Sequence, residues 1–291
     1  MTDHDVRTVL PVQAMLGEGP VWIGRDSALW FVDIKGHHVH RFDPATGAAR
    51  RWDAPDQVGW VLPTAAGGLI AGLRSGVHRF DPVDGSFVLL AQPDGHPAHN
   101  RLNDAATDGA GRLWFGTMDD DERAASGRLF RFDGAGVADS GLPPVCITNG
   151  PAIHAPTGTL YHTDTVGKTV WRATIRDDGT LGAPAPFVTI EDGAGHPDGS
   201  VVDAEGCVWV ALWGGWGVRR YDPAGVLMGT VSLPASNITK IAFGGPDLRT
   251  AYATSARKGL DAAALAEQPE AGNLFAFDPG VAGIAVTPVA M

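Results

Sequence analysis

Two cysteines, Cys146 and Cys207, are all that the 291 residues contain. They are too few for a disulfide framework and too far apart for a CxxC motif, and their apolar neighbours mark them as buried thiols. Basic residues are also scarce. There are 22 Lys and Arg against 33 Asp and Glu, a formal charge of -11, which argues against nucleic acid or an anionic membrane as partner. The opening MTDHDVRTVL has no basic segment leading into an apolar run, and no later stretch approaches the length of a membrane span. The expectation is a cytoplasmic protein, with a monomer as the default. Among catalytic signatures, the chain has no HExxH despite 10 His, no GxSxG elbow, no Walker loop and no Rossmann fingerprint. Helix-length amphipathic segments are nearly absent; the one candidate runs from Asp261 to Gln268, with Pro269 to end it.

What the chain has instead is glycine, proline and repetition. Its 39 Gly and 21 Pro suit a fold rich in tight turns. Six times an apolar or aromatic strand is followed by a turn and a second strand, usually ending in an aromatic residue and Asp. The copies begin at Leu29, Leu69, Leu113, Leu160, Val208 and Ala251, about forty to fifty residues apart, a period that calls for a repeat architecture. Turn clusters such as DPATG, DPVDG and DGAGR mark antiparallel sheet. The reading is all-β: a six-bladed β-propeller with a central metal site, in a single domain over 1–291. Open sheet edges invite aggregation, and the leftover segment Val6 to Gln13 is available to pair with the last blade and close the ring. The polar insertion Asp119 to Ser126 is placed to overhang the channel mouth.

The repeat phase also locates candidate chemistry. Eleven or twelve residues before the strand aromatic of each copy stand Glu18, Asn103, Asn149, Asp198 and Lys240, whereas the second copy carries Gly59, Trp60 and Val61. Equivalent positions around one axis converge on one end of the channel, so Glu18, Asn103, Asn149 and Asp198 should face one another. Singly, each is an ordinary turn residue; at one phase of four copies, oxygen-bearing side chains point to a metal. Such hard ligands suit Ca²⁺, Mg²⁺ or Mn²⁺, and Zn²⁺ and Fe(II) also accept carboxylates. Without a cation the carboxylates repel, and at least one pKa should rise. Trp30, Trp114 and Trp209 read as core. Trp60, at the channel phase, and Trp213 and Trp216, in ALWGGWG, are candidates to cover a sugar-like ring. His37, His38 and His40 read as a solvated strand edge.

The segments LGEGPVW from Leu16, NRLNDAATDGAGRLWFGTM from Asn100, CITNGPAI from Cys146, YHTDT from Tyr161 and PDGSVVDAEGCVWVALWGG from Pro197 together resemble the SMP-30/gluconolactonase/regucalcin-like family over nearly the whole chain. The resemblance implies a six-bladed propeller with one divalent metal in its channel and hydrolysis of sugar lactones. It implies Glu18, Asn149 and Asp198 as metal ligands, Arg101 and Asn103 as substrate contacts, and Asp198 as catalytic acid/base. Asp121 is also implied as a substrate contact, on a shorter side chain than the Glu of some animal members. Within the family the chain looks most like bacterial pentono- and aldonolactonases.

The expected reaction is metal-dependent hydrolysis of a pentono- or hexono-1,4- or 1,5-lactone to the open aldonic acid. Rival readings are a metal-dependent phosphotriesterase or aryl-esterase, which would favour a more apolar pocket, and a non-catalytic calcium-binding propeller.

Overall fold

The computed structural model describes residues 4–291. Among these, 24 strands form six four-stranded antiparallel sheets. The first strand of each sheet lies innermost: Gly17–Ile23, Val58–Pro63, Asn100–Thr107, Thr148–His154, His196–Val202 and Ile238–Gly244 in blades 1 to 6. Each packs against the next around the ring, and the sixth packs on the first. Closure is made by the N-terminal segment: Arg7–Leu10 pairs antiparallel with Leu274–Phe277 as the outer strand of blade 6. The expected leftover strand is thereby placed, and the ring is tied shut by strands from both ends of the described chain.

The recurring aromatic–Asp pair now has a physical account. Phe42, Phe80, Phe132, Tyr221 and Phe277 are buried between blades. The Asp that follows each one (Asp43, Asp81, Asp133, Asp222 and Asp278) accepts the backbone N–H two residues on, making the turn that leaves the strand. Trp30, Trp114 and Trp209 are buried as expected, each donating its indole N–H to a carboxylate: Asp26, Asp108 and Asp203. The core lies between the blades, with inner and second strands buried over most of their length while outer strands such as Ala48–Asp53 face solvent.

The helix forms at Ala262–Glu267, capped by the Asp261 side chain accepting from the Ala264 N–H. No helix of the described residues is long and apolar enough to cross a membrane. His40 departs from its expected place on a solvated edge. It is buried and stacked on Phe31, 4.7 Å between centroids.

Candidate active site at the channel mouth

Every inner strand slips register once: between Glu18 and Val21, Val58 and Trp60, Leu102 and Ala105, Asn149 and Ala152, Pro197 and Ser200, and Ile238 and Lys240. Each slip is a β-bulge, which bends the strand and re-aims its side chains. The register then fixes which residues are level. Val21, Ala106, Ala152, Val201 and Ala242 pair with the strand aromatics Trp30, Trp114, Tyr161, Trp209 and Tyr252, and Leu62 pairs with the corresponding Ile70. Three residues earlier in each strand stand Glu18, Asn103, Asn149, Asp198, Thr239 and Gly59. Counted along the strands, Thr239 and Gly59 hold that place in blades 6 and 2, but by strand pairing Lys240 and Trp60 are level with Glu18 and Asn149: they pair with Thr254 and Gly72, as Glu18 and Asn149 pair with Val32 and Thr163. The expected polar ring is present in four blades, and Lys240 and Trp60 do not line the pocket that it surrounds.

The four polar members of the ring line a pocket of about 330 Å³. Glu18, Asn103, Asn149 and Asp198 share its wall with Arg101, Glu122, Thr165, His196, Trp213 and Lys258. The structure thus brings together Glu18, Arg101, Asn103, Asn149 and Asp198. It does not bring Trp60 or Asp121 to them. Trp60 has its ring buried over Gly72 and against Phe115. Asp121 is exposed, its backbone N–H bonded to Asp119 Oδ1. From the same insertion it is the neighbouring Glu122 that lines the pocket, ion-paired with Lys258 of blade 6. Of the aromatics, Trp213 lines it, with Lys258 Nζ 5.9 Å from the ring centroid.

Hydrogen bonds fix the amide groups. Asn149 Nδ2 donates to Thr165 Oγ1 at 2.9 Å, while its Oδ1 accepts from Asn103 Nδ2 at 2.8 Å. Asn103 Nδ2 also donates to the Thr148 carbonyl, and Asn103 Oδ1 accepts from Arg101 Nη1 at 2.5 Å. Asn103 thus has both ends of its amide committed to the protein, and Arg101 keeps the free donors. Thr239 Oγ1 is turned away onto the Gly17 carbonyl.

The carboxylates are less well served. Among the described residues Glu18 Oε2 accepts only the Gly19 N–H, at 2.9 Å, and the buried Asp198 Oδ1 has no partner. Burial, aided by the charge of Asp104, pushes Glu18 up to about 7, against the opposing influence of the Gly19 N–H, Lys240 and Arg101. Burial, with the charges of Glu18 and Asp104, holds Asp198 well above the usual carboxylate range. A buried carboxylate oxygen without a donor is costly; a cation would relieve that cost. Among the described residues no three His, Cys, Asp or Glu side chains form a cage, so the set is two carboxylates and an amide oxygen. That set fits a hard divalent cation with positions left for water or substrate.

Beside the ring, Lys240 and Asp104 join, Nζ to Oδ1 2.5 Å. Beyond them the channel narrows to a chamber of about 110 Å³ bounded by Trp22, Leu62, Phe243 and Ile284.

Known proteins match this chain over nearly its full length. It is 34% identical to the 6-deoxy-6-sulfogluconolactonase of Pseudomonas putida, covering 97% of this chain and 98% of that protein. To the pentonolactonase XacC of Haloferax volcanii it is 37% identical, over 96% of each. The crystal structure of a calcium-binding protein, regucalcin, from Agrobacterium tumefaciens superposes with a TM-score of 0.94 at 26% identity, covering 99% of this chain and 98% of that one. Residues 16–257 match the model of the SMP-30/Gluconolactonase/LRE-like region, and the chain belongs to that family.

Proposed function

We propose that the protein hydrolyses a sugar lactone, the cyclic ester of an aldonic acid, with one divalent cation held by Glu18, Asn149 and Asp198. The observation that carries this reading is the unpartnered, buried Asp198 Oδ1 in a pocket shared with Glu18, Asn149 and Arg101. Its weight comes from a chain that is 34% and 37% identical to proteins named as lactonases.

A bound cation would polarise the lactone carbonyl as a Lewis acid. Asp198 takes the proton of the attacking water and returns it to the ring oxygen as the ester C–O bond breaks. Arg101 offers its free Nη2 to the substrate's oxygens, and Asn103 holds both Arg101 and Asn149 in place. Trp213, one of the three tryptophans that the sequence offers for the role, covers a face of the sugar. Arg101, Lys258, His196 and Glu122 make the pocket too polar to favour an aryl phosphotriester.

The test is proton release in weak buffer from xylono-, arabinono-, galactono-, glucono- and 6-deoxy-6-sulfogluconolactone. Chelated protein is used, with each divalent metal restored in turn. Metal-dependent acid production above the spontaneous rate, lowered about 10²-fold or more in Asp198→Asn, is expected. Tight cation binding without acceleration of any lactone would replace this reading with that of a calcium-binding propeller, which the description of the Agrobacterium protein favours.

A further inference from the structure

Asp120, outside the ring and outside the pocket lining, collects four side-chain donors from three blades. Oδ1 accepts from Lys35 Nζ at 2.6 Å and Arg101 Nε at 3.0 Å. Oδ2 accepts from Gln57 Nε2 at 2.8 Å and Arg74 Nη2 at 2.5 Å. Its own N–H is tied to the His99 carbonyl at 3.1 Å. Three cations on one carboxylate exceed what a surface tie between blades needs, and one of the three, Arg101, is only 2% exposed. A guanidinium so buried requires both a counter-charge and a fixed orientation.

The bonds around Arg101 show how that orientation is set. Nε is held by Asp120, and Nη1 by the Leu102 carbonyl and Asn103 Oδ1. Among the described residues Nη2 has no protein acceptor, and Arg101 lines the pocket. With two of its three nitrogens anchored, the planar fork has its remaining NH₂ aimed by geometry rather than chosen by rotamer. Asp120 is in turn held by Lys35, Gln57 and Arg74, so the anchor itself cannot swing.

We propose that Asp120 is a positioning residue of the active site: it fixes the Arg101 guanidinium so that Nη2 meets the substrate, and through Arg101 it steadies Asn103. This rests on the lactonase reading for its kinetic consequence but not for its geometry.

Asp120→Asn keeps the shape and removes the charge. In metal-loaded protein it should lower kcat/KM about tenfold or more, mainly through KM, because a misplaced substrate contact costs rate steeply. The same substitution in an Arg101→Met background should cost less than about threefold. A purely structural role predicts equal losses in both backgrounds and a matching fall in thermal midpoint; that result overturns the proposal. An independent readout is the Arg101 Nε–H resonance in ¹⁵N spectra, assigned by its loss in Arg101→Lys. It should exchange slowly with solvent in the unmodified protein and rapidly in Asp120→Asn. Rapid exchange in the unmodified protein refutes the anchor even if Asp120→Asn does not fold. Absence of turnover by the unmodified protein refutes the lactonase reading alone, and the resonance still decides the role of Asp120.

Discussion

Lys240 of blade 6 and Asp104 of blade 3 meet across the channel, Nζ to Oδ1 2.5 Å, with side-chain exposures of 8% and 1%. Both stand on inner strands, Ile238–Gly244 and Asn100–Thr107, beside the ring of Glu18, Asn103, Asn149 and Asp198. Asp104 Oδ1 also accepts the Ala105 N–H, while Oδ2 has no partner among the described residues. Lys240→Met strands a buried carboxylate and should destabilise the protein by about 3–5 kcal/mol. Adding Asp104→Leu should recover most of that loss. Guanidinium unfolding of the two single variants and the double variant checks this; equal and additive losses would show that the pair is not coupled.

The proposed cation site gives a pH prediction for metal-free protein. Glu18 has an ordinary value of 4.5 and is raised to about 7 in the fold. A folded state that holds its proton more tightly than the unfolded state loses stability as that proton leaves. Metal-free protein should therefore be stabilised by this group below about pH 4.5 and lose that contribution as pH rises through about 7. Asp198, raised in the same direction, extends the decline. Thermal midpoints of chelated protein should fall between pH 5 and 8, and saturating cation should flatten the fall. A midpoint that rises over that range without metal would contradict the assignment.

Gly59 gives a steric prediction. A Cβ there would lie 2.3 Å from the Asn103 carbonyl oxygen and 2.9 Å from that of Leu102. Both obstacles are backbone and cannot move aside cheaply, so Gly59→Ala should destabilise by about 1–3 kcal/mol and disturb Asn103, lowering turnover. Gly229→Ala, with nothing within 4 Å of its added methyl, is the control and should leave both stability and turnover near their starting values. Thermal melts and lactone assays on the two variants read out both effects.

Much of the molecule was legible before any coordinates because its information is local and repeated. The aromatic–Asp dipeptides mark strand ends because each Asp closes the turn on its own backbone. The helix is announced by its Asp261 cap, and the closing strand by a β segment left over after six copies. Glu18, Asn103, Asn149 and Asp198 could be aligned because identical blades place identical phases at one height. The same counting reached Trp60 and Lys240 in blades 2 and 6, and these pair with Gly72 and Thr254 at the level of Glu18 and Asn149. Their bulges fall before them, whereas those of blades 1 and 4 fall after Glu18 and Asn149. A bulge re-aims the side chains beside it, so Trp60 packs into the core and Lys240 finds Asp104.

Sequence by itself determined the number of blades, their closure and the four-membered polar ring, since these depend on short-range patterns summed over six copies. Tertiary structure alone decided the contacts between blades. Asp120 with Lys35, Gln57, Arg74 and Arg101, Lys258 with Glu122, and His196 at the pocket wall come from chain segments far apart. No periodicity links such pairs; they meet only because bulged inner strands and overhanging loops converge around one axis. The ring thus supplies the candidate chemistry, and the packing of unlike loops at its mouth decides which groups can reach a substrate.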